Sequence, residues 1–238
     1  MGPVYKIGLI GYPIKGSASP ALFRKYSLER GGDALSFVYE LIETEDFDEA
    51  VRTFLADYCA VNVTAPFKKR ACAVADTLSD EVLATGATNL LVKSASGIKA
   101  YNTDYLALRD LLAGRSGKVA VIGTGGAGLA AASAATSLGM ETVLVNRTPA
   151  EGVYPLSQID TAVKDCTCVV YTLPVHLPCL SESFRGKTVI EANYKTPFFT
   201  RQICRQCDID YVSGMVWLEK QGYHAYSIIL NEVLRPAL

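Results

Sequence analysis

The sequence predicts an α/β protein in two parts, and three observations predict it. Short apolar runs alternate with helical stretches along the chain, the pattern of parallel sheets with helices on both faces. One run, Lys118 to Ile122, opens directly onto a glycine loop and an alanine-rich helix. The length of 238 residues suits one large domain or two small ones.

The elements follow in order. Lys6 to Gly11 is a buried strand closed by Gly11 and Pro13. Ser19-Pro20 offers an N-cap with proline at the first helical position, and Ala21 to Leu28 continues as helix. Leu35 to Leu41 alternates as a second strand, Asp46 to Leu55 reads as an amphipathic helix, and Cys59 to Val63 is a third strand. Ala87 to Val92 is extended ahead of a turn at Ser94 to Gly97, and Tyr105 to Leu112 is a helix carrying the domain boundary. Lys118 to Ile122 is a strand, Gly123 to Gly128 the glycine loop and Leu129 to Leu138 a helix. Strands follow at Glu141 to Val145, Cys168 to Thr172, Thr188 to Glu191 and Ile209 to Val212. A helix from Met215 to Leu234 is expected to pack back on the first part.

Composition narrows the function. A formal charge of −1 leaves no basic excess for displacing phosphate counterions, which argues against nucleic acid. No apolar run approaches the roughly 20 residues needed to span a bilayer, and the start reads straight into a strand, so the expectation is a cytoplasmic protein without a membrane partner. Seven cysteines, an odd number in a chain of this size, read as reduced thiols. Cys166-x-Cys168 with Cys204-x-x-Cys207 has thiolates enough for zinc, but their apolar surroundings favour small buried thiols and no metal.

Gly123-Thr124-Gly125-Gly126-Ala127-Gly128 matches G-x-G-x-x-G between a strand and a helix. Its glycines permit a tight turn and close backbone approach to a pyrophosphate, and the helix start offers unpaired N–H groups to it. This is the mark of a Rossmann-type doubly wound nucleotide-binding domain. An NAD site ordinarily has an acid about 20 residues on, for the ribose hydroxyls. Here Asn146-Arg147-Thr148 stands instead; an arginine attracts a 2′-phosphate that an acid would repel, so NADP is the expected cofactor.

The first half carries polar groups that plain structure does not demand. Ser17 and Ser19 flank a helix start, a setting suited to a carboxylate, although capping alone would account for Ser19. Asn62-Val63-Thr64-Ala65-Pro66-Phe67-Lys68 ends a buried strand on a lysine. Asn89 adds an amide, and Asn102-Thr103-Asp104 an amide, a hydroxyl and a carboxylate. A carbonyl accepting hydride develops alkoxide character that a lysine ammonium can stabilise and protonate, and Asp104 can orient that lysine.

Taken together, G-x-P with S-x-S-P, N-V-T-x-P-F-K, G-A-x-N, N-T-D, the glycine loop, N-R-T and a late Gln221-Gly222 resemble the shikimate dehydrogenase family over almost the whole length. The resemblance implies NADP-dependent, reversible reduction of 3-dehydroshikimate to shikimate, a step of chorismate and aromatic amino acid biosynthesis. It implies an N-terminal α/β substrate-binding and catalytic domain over 1–104, with 214–238 packing back on it, and an NADP-binding domain over 105–213. By carry-over, Lys68 and Asp104 are the catalytic pair. Ser17, Ser19, Thr64, Asn89 and Gln221 bind the substrate. Gly123, Gly125, Gly126, Ala127, Gly128, Asn146, Arg147, Thr148, Thr172 and Gly214 serve the cofactor. The expected partner is the small-molecule substrate, in a monomer or homodimer.

The chain departs from the family pattern at several places. Gly16 precedes Ser17 where histidine is frequent, Leu90 replaces a threonine, and Tyr105 and Ala107 replace glycines. Ala150 and Glu151 follow where a second basic residue is common, and Tyr226-Ser227-Ile228 stands for W-T-G. Two other readings share the scaffold: a quinate/shikimate dehydrogenase using NAD or NADP, and a non-catalytic ligand sensor. Retention of both Lys68 and Asp104 argues against the sensor.

Overall fold

The computed structural model describes residues 4–29, 36–148, 150–175, 177 and 180–234. The expected strand start at Leu35 and the chain ends at 1–3 and 235–238 lie outside the described residues. The chain divides into two compact units, Met1–Thr103 with Gln221–Leu238, and Asp104–Lys220.

The first unit runs β1 (Val4–Gly11), α1 (Ser19–Glu29), β2 (Ser36–Glu43), α2 (Phe47–Asp57), β3 (Ala60–Val63), a 3-10 turn (Arg70–Val74), β4 (Thr77–Leu78), α3 (Asp80–Thr85), β5 (Leu90–Ser94) and β6 (Gly97–Tyr101). Its described strands form one sheet in the order β2-β1-β3-β5-β6-β4. Alternation of strands and helices predicts a parallel sheet, and the β2-β1-β3 part is parallel. Beyond β3 that expectation is corrected: β5 is antiparallel to β3 and to β6, while β4 pairs with β6 in parallel. For β5 and β6 the reason is local, because only Ala95 and Ser96 separate the Ser94–Gly97 pair, and a two-residue connection closes a hairpin but not a crossover.

Burial follows from this pattern. β3 is buried along its whole length, and Ile10, Phe47, Phe54, Val61, Phe67 and Leu91 pack into one core. α2 begins where Asp46 caps it, its carboxylate accepting the Asp48 and Glu49 amides at 2.9 and 3.1 Å.

α1 departs from the sequence expectation by one residue. The Leu22 amide bonds to the Ala18 carbonyl at 3.1 Å, so Ser19 already lies in the first turn and is not the cap. Its hydroxyl is thereby released for other partners.

α4 (Thr103–Leu112) leads into the second unit, which continues β7 (Lys118–Ile122), α5 (Gly126–Ser137), β8 (Thr142–Asn146), β9 (Val153–Pro155), α6 (Ile159–Val163), β10 (Cys166–Tyr171), α7 (Leu180–Ser183), β11 (Thr188–Glu191), α8 (Arg201–Gln206), β12 (Asp210–Val212) and α9 (Gly214–Leu234). The described strands of this unit pair in parallel in the order β12-β11-β10-β7-β8-β9. This is the doubly wound order, with β7 and β10 at its switch point. Two apolar clusters cover the sheet, one around Tyr171, Phe184, Phe198 and Phe199, the other around Leu108, Leu112, Ala131 and Trp217.

The cysteine pattern resolves here. A register shift separates Cys166 from Cys168 in β10, so Cys166 packs in one cluster and Cys168 in the other. Opposed thiols cannot share a metal ion. Burial pushes the Cys168 thiol up to about 12, the mark of an inert core sulfur. Among the described residues, no group of His, Cys, Asp or Glu could hold a metal ion.

Candidate active site

In the first unit, β1 and β3 run side by side and end in neighbouring turns. The Tyr12 amide reaches the Ala65 carbonyl at 3.2 Å, and the Thr64 amide reaches Ile10 at 2.9 Å. A side chain at Gly11 would collide with the Thr64 methyl, which is why glycine stands there. The β3 turn closes where the Phe67 amide meets the Thr64 carbonyl at 3.0 Å, and Lys68 follows, half-buried. Its carbonyl accepts the Thr88 amide at 2.9 Å, which keeps Lys68 on the segment next to Asn89.

Asn89 is the centre of the polar cluster and is buried. Its Oδ1 accepts the Thr103 amide at 2.7 Å, and its Nδ2 donates to Thr103 Oγ1 at 2.9 Å and to Gln221 Oε1 at 3.4 Å. Thr103 Oγ1 also lies 3.2 Å from Gln221 Oε1. Three segments remote in sequence thus converge on one amide. Leu90, the residue that departs from the family's threonine, is fully buried in the sheet.

At α1, Ser17 Oγ donates to Ser19 Oγ at 3.2 Å and accepts the Ser19 amide at 3.3 Å. Tyr39, on β2, donates its hydroxyl to Asn62 Oδ1 at 3.0 Å, and Asn62 Nδ2 donates to the Asn89 carbonyl at 3.3 Å. Burial drives the Tyr39 phenol well above its ordinary range, while a hydrogen bond from the Ser19 side chain pulls the other way. Tyr39 and Asn62 thereby extend the hydrogen-bonded cluster around Asn89 to β2. Sequence reasoning passed over Tyr39, since nothing in the alternation of β2 distinguishes it from a core tyrosine.

In the second unit, Asp104 occupies the first turn of α4, and Trp217 Nε1 donates to its Oδ1 at 3.2 Å. Trp217 was another residue without a local signal. Ala107 is fully buried in the cluster that contains Trp217, and Tyr105 packs against the same cluster. Tyr105 and Ala107, standing in place of the two glycines, therefore serve packing within this unit.

The glycine loop fits a phosphate-bearing cofactor. Gly123 has φ +102, and its amide bonds to the Val145 carbonyl at 2.8 Å. A Cβ at Gly128 would strike the Gly123 carbonyl oxygen, so only glycine lets α5 begin so close to the loop. Gly125 caps α5 with no side-chain hydrogen bond, and a Cβ there would meet nothing within 4 Å. The first α5 amides, like those of any helix start, have no intrahelical partner and no side-chain cap, as an anion site requires. Sequence reading starts this helix at Leu129; it starts at Gly126, because the Leu129 amide already bonds to the Gly125 carbonyl at 2.9 Å. Ala127 packs against the cluster beneath.

The other expected cofactor residues fall at the carboxyl ends of the same strands. Asn146 ends β8, and Arg147 and Thr148 follow it, both exposed. Thr172 follows β10, its hydroxyl donating to the carbonyls of Ile122 at 2.9 Å and Gly123 at 3.3 Å, so it shapes the loop. Gly214 opens α9 where a Cβ would lie 2.7 Å from the Asn193 carbonyl carbon.

Known proteins agree with this architecture. Residues 9–91 match the shikimate dehydrogenase substrate binding domain, and residues 118–158 match an FAD binding domain model over the β7–α5–β8 unit. Shikimate dehydrogenase (NADP(+)) of Thermotoga maritima is 30% identical over 201 residues, spanning 78% of this chain and 77% of that protein. The chain belongs to the shikimate dehydrogenase family. Among solved structures, shikimate 5-dehydrogenase of Thermus thermophilus in complex with shikimate aligns over 94% of this chain and 92% of its own, with TM-score 0.80 and 27% identity. The same enzyme in complex with NADP(H) and shikimate gives TM-score 0.82 at 25% identity, over 94% and 93%. Among the described residues, no helix is long and apolar enough to cross a membrane.

Proposed function

We propose that this family member reversibly reduces 3-dehydroshikimate to shikimate with NADPH, as a cytoplasmic monomer or homodimer. The observation that carries the reading is the cluster of buried Asn89 and Thr103 with half-buried Gln221, a set of donors and acceptors suited to a polyhydroxylated ring. Residues 1–103 with the end of α9 would form the substrate domain, and residues 104–220 the cofactor domain.

Bound NADP(H) supplies the hydride donor or acceptor. The first α5 amides would hold its pyrophosphate, and Arg147, with Asn146 and Thr148, the 2′-phosphate. Ser17 and Ser19 would donate to the substrate carboxylate, and Thr64, Asn89 and Gln221 would hold ring hydroxyls. Lys68 Nζ gives its proton to the oxygen of the carbonyl as hydride reaches the carbon, and takes it back in the oxidative direction. Asp104 would accept a hydrogen bond from the reacting hydroxyl. Trp217 holds the Asp104 carboxylate for that role.

The test is reduced-nicotinamide absorbance with shikimate and quinate crossed against NADP and NAD. Turnover of shikimate with NADP supports the reading. Reaction with quinate or NAD alone would move the chain to the quinate/shikimate class, and binding without turnover would make it a sensor.

A further inference from the structure

The turn that carries Ser17 is held from outside itself. Between β1 and α1 the Ser17 amide bonds to the Ile14 carbonyl at 3.1 Å, closing a β-turn over Ile14-Lys15-Gly16-Ser17. Gly16 has φ +72 at the third position, where a type II turn needs a residue that takes positive φ. The first two amides of this turn point away to another element. Glu43, the last residue of β2, accepts the Ile14 amide at 2.9 Å and the Lys15 amide at 3.3 Å, both on Oε1. Glu43 is half-buried and pairs in register with Gly11, the last residue of β1.

The two serines therefore depend on different supports. Ser19 lies in the first turn of α1, where the helix ladder holds it. Ser17 lies outside the helix, and its backbone position follows from the turn. Buried Ile14 anchors that turn from below, its Cγ2 only 2.8 Å from where a Cβ at Gly11 would stand. Glu43 anchors it from the side with two charge-assisted hydrogen bonds, stronger than bonds to a neutral acceptor. Strand pairing and capping do not account for an acid here, since β2 pairs through its backbone and Asp46 caps α2. A negative charge on this turn works against an anionic ligand at Ser17, so its value lies in the amides it holds.

We propose that Glu43 is a positioning residue of the substrate site, its carboxylate fixing the Ile14–Ser17 turn so that the Ser17 side chain is set for the substrate carboxylate. This rests on the reading of Ser17 as a carboxylate-binding residue. Glu43 acts through the turn, so its loss falls on binding of the ring acid and spares the cofactor and the hydride step.

The experiment compares wild type, Glu43→Ala, Glu43→Gln, Ser17→Ala and the Glu43→Ala/Ser17→Ala double variant in steady-state kinetics and thermal unfolding. Expected for Glu43→Ala is a rise of about 5- to 10-fold in the shikimate KM, with kcat within about threefold and the NADP KM unchanged. Glutamine keeps an acceptor oxygen for both amides and should restore the shikimate KM to within about threefold of wild type. In the Ser17→Ala background Glu43→Ala should have little further effect, since the side chain it positions is gone. Should Glu43→Ala fail to fold, Glu43→Asp, whose shorter side chain withdraws the oxygen, takes its place. A lowered Tm with an unaltered shikimate KM would leave Glu43 a purely structural residue and overturn the proposal. A KM that falls in both Glu43 variants would show that the charge only repels the substrate, and would overturn it too. So would failure of glutamine to restore binding, or effects that simply multiply in the double variant. If wild type does not oxidise shikimate, the functional reading fails by itself, and calorimetric shikimate binding to the same five proteins decides for Glu43. Absence of shikimate binding to wild type would then end this proposal as well.

Discussion

Trp217 donates its indole N–H to Asp104 Oδ1 at 3.2 Å, joining α9 to the first turn of α4 within one unit. Trp217 is buried, so the bond fixes the carboxylate from the core side. Trp217→Phe keeps apolar packing and removes the donor; kcat/KM is expected to fall by about 3- to 10-fold. Asp104→Ala should lose about 10²-fold or more in kcat. Equal losses in the two variants, measured by steady-state kinetics, would contradict the supporting role given to Trp217.

Lys68 is half-buried on a turn, and its backbone carbonyl, not its side chain, holds the Thr88 amide. Lys68→Ala should lower kcat by about 10²-fold or more while the turn itself, held through the Lys68 carbonyl, is kept. A variant that retains most of its turnover would remove Lys68 from the chemistry.

Arg147 is exposed just beyond the end of β8. Arg147→Ala should raise the KM for NADP by about 10-fold or more and leave that for NAD within about 2-fold, since only the 2′-phosphate needs the guanidinium. Parallel losses for the two cofactors would mean that Arg147 supports the loop and does not select the phosphate.

Two glycines of one loop should behave oppositely. Gly128→Ala drives a methyl into the Gly123 carbonyl oxygen and is expected to destabilise by about 1–3 kcal/mol. Gly125→Ala meets nothing within 4 Å and should keep the wild-type Tm while weakening NADP binding, because the methyl occupies the space in front of α5. Thermal unfolding with cofactor titration separates the two.

Glu232 bonds to Tyr101 at 2.6 Å and to Lys99 at 2.9 Å, fastening the end of α9 to β6. Burial works against its ionisation, but the Tyr101 hydroxyl and the Lys99 ammonium outweigh it and lower the carboxyl below its usual range. A depressed folded-state value means that the stabilisation is complete above the unfolded value of about 4.3 and is lost as pH falls through the folded one. Glu232→Gln should thus be less stable than wild type near neutrality, with the difference shrinking below about pH 4 in urea unfolding. A difference that stays constant with pH would show that the charge contributes nothing.

Much of the architecture was legible in the sequence because it follows from short-range rules. Period-two apolar runs specify strands, Asp46 before an amphipathic stretch specifies a helix start, and G-x-G-x-x-G between strand and helix specifies a nucleotide loop. The family motifs likewise named Ser17, Lys68, Asn89, Asp104 and Gln221 from the chain alone. Tertiary structure decided the rest. The antiparallel β5–β6 hairpin turns on pairing across a two-residue connection. The separation of Cys166 from Cys168 turns on a register shift that no spacing rule reveals. Tyr39 and Trp217 find their hydrogen-bond partners only where β2 meets Asn62 and α9 meets Asp104. Local propensity and motif are written residue by residue, whereas a hydrogen bond between residues 113 positions apart exists only once burial has brought its donor and acceptor together.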